Sequence, residues 1–548
     1  MALAPEIGPK QHTIFEVLNG VAHARPNADL LVLESVTAAS YGLSPETVSY
    51  AQALAATEAL RARYAQAGYG HGHRVALSLD NRPEFFFHWW ALNALGVSVV
   101  PVHAALRHAE LSYLLGHSEC ALVVARPDRQ AALQAALDAA SSAAAVCAAD
   151  DAGFAPAPFA APAAAQPVGR DTECALLYTS GTTGRPKGCR LLNGYFLRAG
   201  RWYAELDGHC TLRPGMERII TPLPVNHMNA LAFSTMAALM TGGALVQLDR
   251  FHPQSWWASV RDSGATVVHY LGVMPAMLLG APPNPADRTH QVRFGFGAGV
   301  GGEQHGAFEE RFGFALVEAW AMTETGAVGC VIANHEPRHI GQHAFGKPQA
   351  HMAWRVVDDD GHDVASGTPG ELWVRGAGSD PRQDFFAGYL KDDAATEEAW
   401  ALGWFHTGDV VRVDADGCMF FVDRKKNVVR RSGENISAVE VETVLATHPD
   451  VKAVAVAPVP DAVRGDEVCA CVVPHEAPDN ATEWAQALVR WALEQLSYYK
   501  VPGYVVLVDE LPLTLSQKIQ RGQLRELAQS ALGQPHAVDT RAMKKSGA

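Results

Sequence analysis

A short apolar run that breaks abruptly into a loop of glycines and hydroxyls sets the strongest limit on this chain. Ala175-Leu176-Leu177-Tyr178 has the character of a buried strand, and Thr179-Ser180-Gly181-Thr182-Thr183-Gly184-Arg185-Pro186-Lys187-Gly188 follows it directly. Glycines let the backbone approach an anion closely and adopt positive φ. Successive N–H groups in such a turn form a concave nest for phosphate. The Ser and Thr hydroxyls add donors, and Lys187 supplies the countercharge. The stretch reads as a phosphate cradle. A Walker A loop needs G-x-x-x-x-G-K-[ST]. Here Lys187 stands between Pro186 and Gly188, so this cradle is of another kind.

At 548 residues the chain exceeds a single compact core, so two or more domains are expected. The net charge of −14 argues against nonspecific nucleic-acid binding but leaves anionic substrates open, because local fields decide those. The nine cysteines include no C-x-x-C and no zinc or disulfide spacing. They read as reduced thiols of a cytoplasmic protein. Residues 1–10 lack the apolar stretch of a secretory signal. Residues 229–248 are uncharged and long enough to raise the question of a membrane helix. Gly242-Gly243 splits them into a buried helix, a turn and a strand, so no stable membrane anchor is expected.

Residues 14–70 read as helical, most clearly 49–67. Then come a strand at 74–79, a helix at 81–95 ending at Gly96, a strand at 97–102, a helix at 108–116 and a strand at 121–124. Strands alternating with helices point to a parallel α/β sheet. Residues 294–302, Phe-Gly-Phe-Gly-Ala-Gly-Val-Gly-Gly, read as a glycine-rich loop against which a flat ring can lie. Asp358-Asp359-Asp360-Gly361 reads as a hairpin turn rather than a metal site. His335-Glu336-Pro337-Arg338-His339 matches H-E-x-x-H, but that zinc motif works only on a helix, and Pro337 breaks one. After residue 428 a helix, two strands and a second helix make a compact α+β unit.

The cradle resembles, letter for letter, the signature loop of the AMP-forming adenylate-forming superfamily of acyl-CoA synthetases, luciferases and peptide-synthetase adenylation domains. Similar segments follow in family order from residue 81 to residue 521. They include Asn226-His227, Glu318-Ala319-Trp320-Ala321-Met322-Thr323-Glu324-Thr325, Gly370-Glu371-Leu372-Trp373-Val374-Arg375-Gly376, Phe405-His406-Thr407-Gly408-Asp409, Asp423-Arg424, Ser432-Gly433 and Ser516-Gln517-Lys518. The resemblance implies an α/β fold with a large N-terminal domain of α/β subdomains plus a β-rich subdomain, and a small mobile α+β C-terminal domain. The expected boundaries are 1–422 for the large domain, 423–427 for the hinge with Lys426 at its centre, 428–535 for the small domain and 536–548 for a tail. Within the large domain, 131–168 is an Ala/Pro-rich linker or surface segment.

The same resemblance implies the site. Thr179, Ser180, Gly181, Thr182, Thr183, Gly184 and Lys187 would hold phosphates. Ala298, Gly299, Trp320, Ala321 and Met322 would border adenine. Asp409 would bind the ribose hydroxyls and Arg424 the ribose or phosphate. Thr323 would donate to the α-phosphate, and Glu324 would hold Mg²⁺, a hard cation that prefers oxygen. Lys518 would be the catalytic lysine, alone a solvated surface charge. Ser432 and Gly433 would line the CoA tunnel. As a lone histidine His227 reads as structural; the resemblance makes it, with Asn226, a wall between the acyl pocket and the α-phosphate. His269, Tyr270 and Ala321 are further candidates for that pocket, with core packing an equal reading of His269 and Tyr270.

The implied reaction joins ATP and a carboxylic acid into an acyl-adenylate and passes the acyl group to CoA. Several segments look most like the crotonobetaine/carnitine-CoA ligase branch and related fatty-acyl ligases. Asn226, Asn229 and Ala321 suggest a small, partly polar pocket for a short or medium acid. The alternatives are an aryl acid, a carrier protein as acceptor, or a noncatalytic nucleotide-binding protein. A homodimer is left open.

Overall fold

The computed structural model describes residues 11–544 except 105, 107, 163–166, 180–185, 425–427, 432–433, 462–464, 497 and 514–518. Among the described residues it is a mixed α/β architecture built on four sheets. Two of them form the body of the large N-terminal part. One runs, in spatial order, through Val331–Ile332, Ala315–Trp320, Phe294–Ala298, Val267–Leu271, Arg218–Thr221, Ala244–Gln247, Asp29–Leu33 and Glu46–Ser49, parallel except at its two edges. The other runs through Ala145–Ala148, Leu122–Ala125, Arg74–Ser78, Ser98–Pro101, Glu173–Thr179 and Lys187–Leu192.

Helices Ile14–Ala24, Tyr50–Gln66, Pro83–Ala94 and Asn193–Glu205 supply much of the main core. Trp89, Trp90, Phe85, Phe86, Tyr195 and Phe196 are fully buried there. Parallel sheets covered on both faces read as continuous apolar strands, and Val-Val-His-Tyr-Leu at Val267–Leu271 is one of them. An antiparallel sheet of five strands, with Met352–Val357 at one edge and Ala344–Gly346 at the other, extends this part. The fourth sheet belongs to the C-terminal part and has its own apolar core around Val468, Val472, Leu488 and Val505.

Four expectations change. Residues 14–70 are not all helix, since Asp29–Leu33 and Glu46–Ser49 are strands. A short apolar run cannot be assigned from periodicity alone, and here pairing with Ala244–Gln247 decides it. The glycine-rich run 294–302 begins as the strand Phe294–Ala298. Its glycines serve close packing, because a Cβ on Gly297 would stand 2.3 Å from the Tyr270 carbonyl oxygen. The Ala/Pro-rich segment contributes the strand Ala145–Ala148. Phe154 in it is buried and stacks on Tyr64 at 4.3 Å. The tail is not a tail: Ala537–Asp539 pairs with Tyr504–Leu507 and completes the fourth sheet.

Residues 229–248 fold as expected. A π-helical turn and the helix Met236–Thr241 end at Gly242, whose φ is +65°, and the strand Ala244–Gln247 follows. Among the described residues no helix is long and apolar enough to cross a membrane.

Two core histidines make the fold acid-sensitive. His88 lies 2.6 Å from the Tyr64 hydroxyl through Nδ1, and burial pushes its pKa down to about 3. Burial does the same to His269. Each is neutral when folded and binds a proton near its ordinary pKa only when unfolded. Stability is therefore complete above about pH 6.5 and falls as pH drops toward the folded values. At pH 5.5 each histidine is expected to cost about 1.4 kcal/mol. Urea midpoints at pH 7.5 and 5.5 check this, and His88→Asn or His269→Asn should each flatten the dependence.

Candidate functional site

The site lies at the carboxyl ends of the parallel strands, where open α/β sheets bind ligands. Strand Phe294–Ala298 delivers exposed Ala298 and Gly299, and strand Ala315–Trp320 delivers Trp320 and the following turn. Glu318, inside that strand, organises the first loop. Its carboxylate accepts from Gly299 N at 2.9 Å, Val300 N at 3.2 Å and the Tyr270 hydroxyl at 2.7 Å. Gly299 has φ +80°, and a Cβ on Gly272 would stand 1.7 Å from its carbonyl oxygen. Sequence reasoning gave Glu318 no task. Its one signal was a charge in an otherwise apolar strand, Ala-Leu-Val-Glu-Ala-Trp.

Glu318→Gln would face two N–H donors with an amide that is itself half donor. AMP affinity should fall about tenfold, the size of one lost hydrogen bond to a charged group. Calorimetric titration checks this; an unchanged affinity would mean that the loop holds its shape without the carboxylate.

Asp409 comes from strand Phe405–Val413 and is almost fully buried. The Trp320 indole N–H donates to its Oδ2 at 2.8 Å, and Arg424 Nε stands 3.1 Å from Oδ1. Burial raises its pKa, while Arg424 and the indole N–H oppose the shift. Oδ1 is buried without a hydrogen-bond donor of its own. A carboxylate oxygen accepts at more than one lone-pair position, so Oδ1, paired with Arg424 at 3.1 Å, keeps capacity for a further donor. Trp320 thus supports the carboxylate as well as offering an indole edge. Its ring is nearly buried beside Phe345, with centroids 6.0 Å apart.

Met322, Thr323, Glu324 and Thr325 form a tight turn closed by Gly326 N to Met322 O at 3.0 Å, with Thr325 Oγ1 accepting from Met322 N at 3.0 Å. Glu324 is buried and accepts from the Tyr389 hydroxyl at 2.9 Å through Oε1. A carboxylate has a second oxygen, the hard donor that Mg²⁺ takes, so the residue fits the cation. The neighbouring Cys189 thiol is held well above the usual thiol range by burial first and by Glu324 second, so it stays neutral. From the cradle, Thr179 and Lys187 are described at the ends of an antiparallel pair. Lys187 Nζ stands 3.8 Å from Asp392 and 4.8 Å over the Tyr389 ring.

Ser180, Gly181, Thr182, Thr183, Gly184, Lys426, Ser432, Gly433 and Lys518 lie outside the described residues. Around Lys518 the loop base is closed: Leu513 bridges to Ile519, and Gln520 N donates to Pro512 O at 2.8 Å.

Asn226 is half-buried and His227 exposed. The other histidine and the tyrosine are corrected. His269 is fully buried, with Nδ1 at 2.7 Å from Ser234 Oγ and 3.0 Å from Asn229 Oδ1, and Nε2 at 3.0 Å from the Tyr203 hydroxyl. Tyr270 points to the other face of the sheet, into the cluster of Trp256 and Phe308. Strand alternation separates the two, and both serve the core rather than an acyl pocket. Asn229 likewise spends its oxygen on His269. The His335–His339 run is not helical, and His335 bonds Asp207 at 2.9 Å.

Two largely parallel sheets, a five-stranded antiparallel sheet and a separate C-terminal sheet make the fold of an adenylate-forming enzyme. The chain belongs to the AMP-binding enzyme family: that family model matches residues 23–390, and the model of its C-terminal domain matches residues 440–518. It is 31% identical over 472 residues to the crotonobetaine/carnitine–CoA ligase of Shigella sonnei strain Ss046, covering 84% of this chain and 89% of that one. The enzyme of the same description from Escherichia coli O8 strain IAI1 gives the same figures. Among solved structures, ATP-bound MatB from Rhodopseudomonas palustris superposes with a TM-score of 0.77 at 25% identity, covering 94% of this chain and 98% of that one. The o-succinylbenzoate CoA synthetase of Bacillus subtilis with its acyl-adenylate superposes at 0.77 and 24% identity, covering 93% and 97%.

Proposed function

We propose that this chain joins a carboxylic acid to CoA in two steps, through an acyl-adenylate, releasing pyrophosphate and AMP. The observation that carries the reading is Asp409. A buried carboxylate, held by Trp320 on one oxygen and paired with Arg424 on the other, offers the kind of acceptor that binds the vicinal hydroxyls of a ribose. Adenine would lie along Ala298 and Gly299 toward Trp320, Ala321 and Met322. The Thr179–Lys187 cradle with Thr323 would receive the phosphates, and Arg424 would reach ribose or phosphate. Mg²⁺ held by Glu324 would neutralise phosphate charge.

In the first step a carboxylate oxygen of the acid attacks the α-phosphorus, and pyrophosphate leaves. Such transfers depend mainly on positioning and charge stabilisation. Lys518 supplies the cation that follows the developing charge, and His227 with Asn226 shields the acyl side. The small domain, from about residue 428 onward, then turns about Lys426. That movement withdraws Lys518 and brings Ser432 and Gly433 to the thiol path. The CoA thiolate adds to the acyl carbonyl, the tetrahedral centre collapses, and AMP leaves.

The similarity to crotonobetaine/carnitine–CoA ligases and the half-buried Asn226 favour a short or medium acid with a polar group. The protein is incubated with ATP, Mg²⁺, CoA and a panel of short, medium, betaine-like and aryl acids, with acyl-CoA, AMP and ADP read by mass. Acid-dependent acyl-CoA and AMP support the reading and name the acid. Acid-dependent AMP without acyl-CoA overturns CoA as acceptor, and ADP as the product overturns adenylation.

A further inference from the structure

Tyr389 stands where the two charged parts of the site meet. The segment around it runs antiparallel to strand Lys187–Leu192, with Ala387 N donating to Arg190 O at 2.8 Å, Arg190 N to Gly388 O at 3.0 Å and Leu390 N to Gly188 O at 2.8 Å. One residue earlier, Phe386 N donates to the carbonyl of Glu324 at 2.9 Å. The same segment thus grips the cradle strand and the turn that carries the carboxylate. Tyr389 itself is anchored through its N–H, which donates to Thr396 Oγ1 at 2.9 Å.

Its side chain joins the two parts directly. The hydroxyl donates to Glu324 Oε1 at 2.9 Å, and the ring face lies 4.8 Å from Lys187 Nζ. A hydrogen bond on one oxygen of a ligand carboxylate fixes its orientation, as outer-sphere partners of metal ligands do. An ammonium over a phenol ring is held by the ring quadrupole. One residue therefore sets both the carboxylate and the lysine. We propose that Tyr389 is a positioning residue that locks Glu324 for the cation through its hydroxyl and Lys187 for the phosphates through its ring. This rests on the reading of Glu324 as the metal carboxylate.

The two contacts can be removed separately. Tyr389→Phe keeps the ring and removes the hydroxyl. Tyr389→Leu removes both. The assay is binding: Mn²⁺ is titrated into protein with ATP and followed by its paramagnetic resonance signal, and ATP affinity is measured calorimetrically at saturating Mn²⁺. Tyr389→Phe should raise the half-saturating Mn²⁺ about tenfold, the size of one hydrogen bond to a charged group, with ATP affinity at saturating metal within twofold of the parent. Tyr389→Leu should weaken both. A purely structural tyrosine would not separate them, so an equal loss of both in Tyr389→Phe overturns the proposal. Glu324→Gln is the control. If it shifts the Mn²⁺ titration and Tyr389→Phe does not, the metal carboxylate stands and the task given to Tyr389 falls. If Glu324→Gln leaves the titration unchanged, the metal reading falls and this inference with it. Should Tyr389→Leu not fold, Tyr389→Phe decides alone.

Discussion

Lys518→Ala is expected to slow adenylation about 10²- to 10³-fold while thioester formation from a supplied acyl-adenylate stays within about threefold. The first figure is what removing one pre-aimed charge from a transition state usually costs, about 3–4 kcal/mol. The second follows from the proposed domain movement, which would withdraw the lysine from the site before the thiol arrives. The described residues on either side of Lys518 pair with each other. Leu513 bridges to Ile519, and Gln520 Nε2 donates to Leu513 O at 2.7 Å. Just beyond, Arg521 donates to Glu442 Oε2 at 2.8 Å and to Val456 O at 2.9 Å. These contacts tie Leu513 and residues 519–521 to the C-terminal part. Pyrophosphate exchange reads the first half-reaction, and acyl-CoA from purified adenylate reads the second. Equal loss in both would mean that one arrangement of the domains serves both steps.

How much of this was legible depends on whether a residue's task is written in its own chemistry or in its neighbours'. Asp409 and Glu324 were legible as candidates, since a ribose and a hard cation both call for carboxylates and the surrounding strings match the family, and the structure shows both as buried carboxylates with side-chain partners. The bond from Trp320 to Asp409 was not, because it joins residues 89 positions apart. Tyr389 was silent for the same reason: its partners Lys187 and Glu324 come from distant segments, and a tyrosine after a glycine carries no signature. His269 and Tyr270 show the converse. Both types suit a pocket, but adjacent strand residues face opposite sides, and burial on both faces of the sheet turned each into core. The fold followed similar limits. Helices with a clear apolar face, such as Ala481–Leu493, were read correctly, while Asp29–Leu33 is too short to reveal its period without its partner strand.

The C-terminal segment tests the largest of these misreadings. Residues 536–548 are polar and basic enough to suggest a solvated tail, yet Lys544 is buried and forms an ion pair with Glu467. Glu467 has no exposed surface and also receives Arg431 Nε at 2.9 Å on each oxygen. One carboxylate therefore compensates two buried cations and ties the end of the chain to the strand that leads into residues 432–433. Removing one partner of a buried ion pair costs about 3–5 kcal/mol, because an uncompensated charge remains. Glu467→Gln strands two cations and is expected at the upper end, about 5 kcal/mol, in urea unfolding followed by the fluorescence of Trp484 and Trp491, which lie in the same small domain. Apolar replacement of all three members, Arg431→Met with Glu467→Leu and Lys544→Met, should recover most of the loss, since well-packed apolar side chains often substitute for buried ion networks without penalty. A loss below about 1 kcal/mol for Glu467→Gln is the size expected of an exposed pair. That result would return Lys544 to the surface and the last residues to a tail.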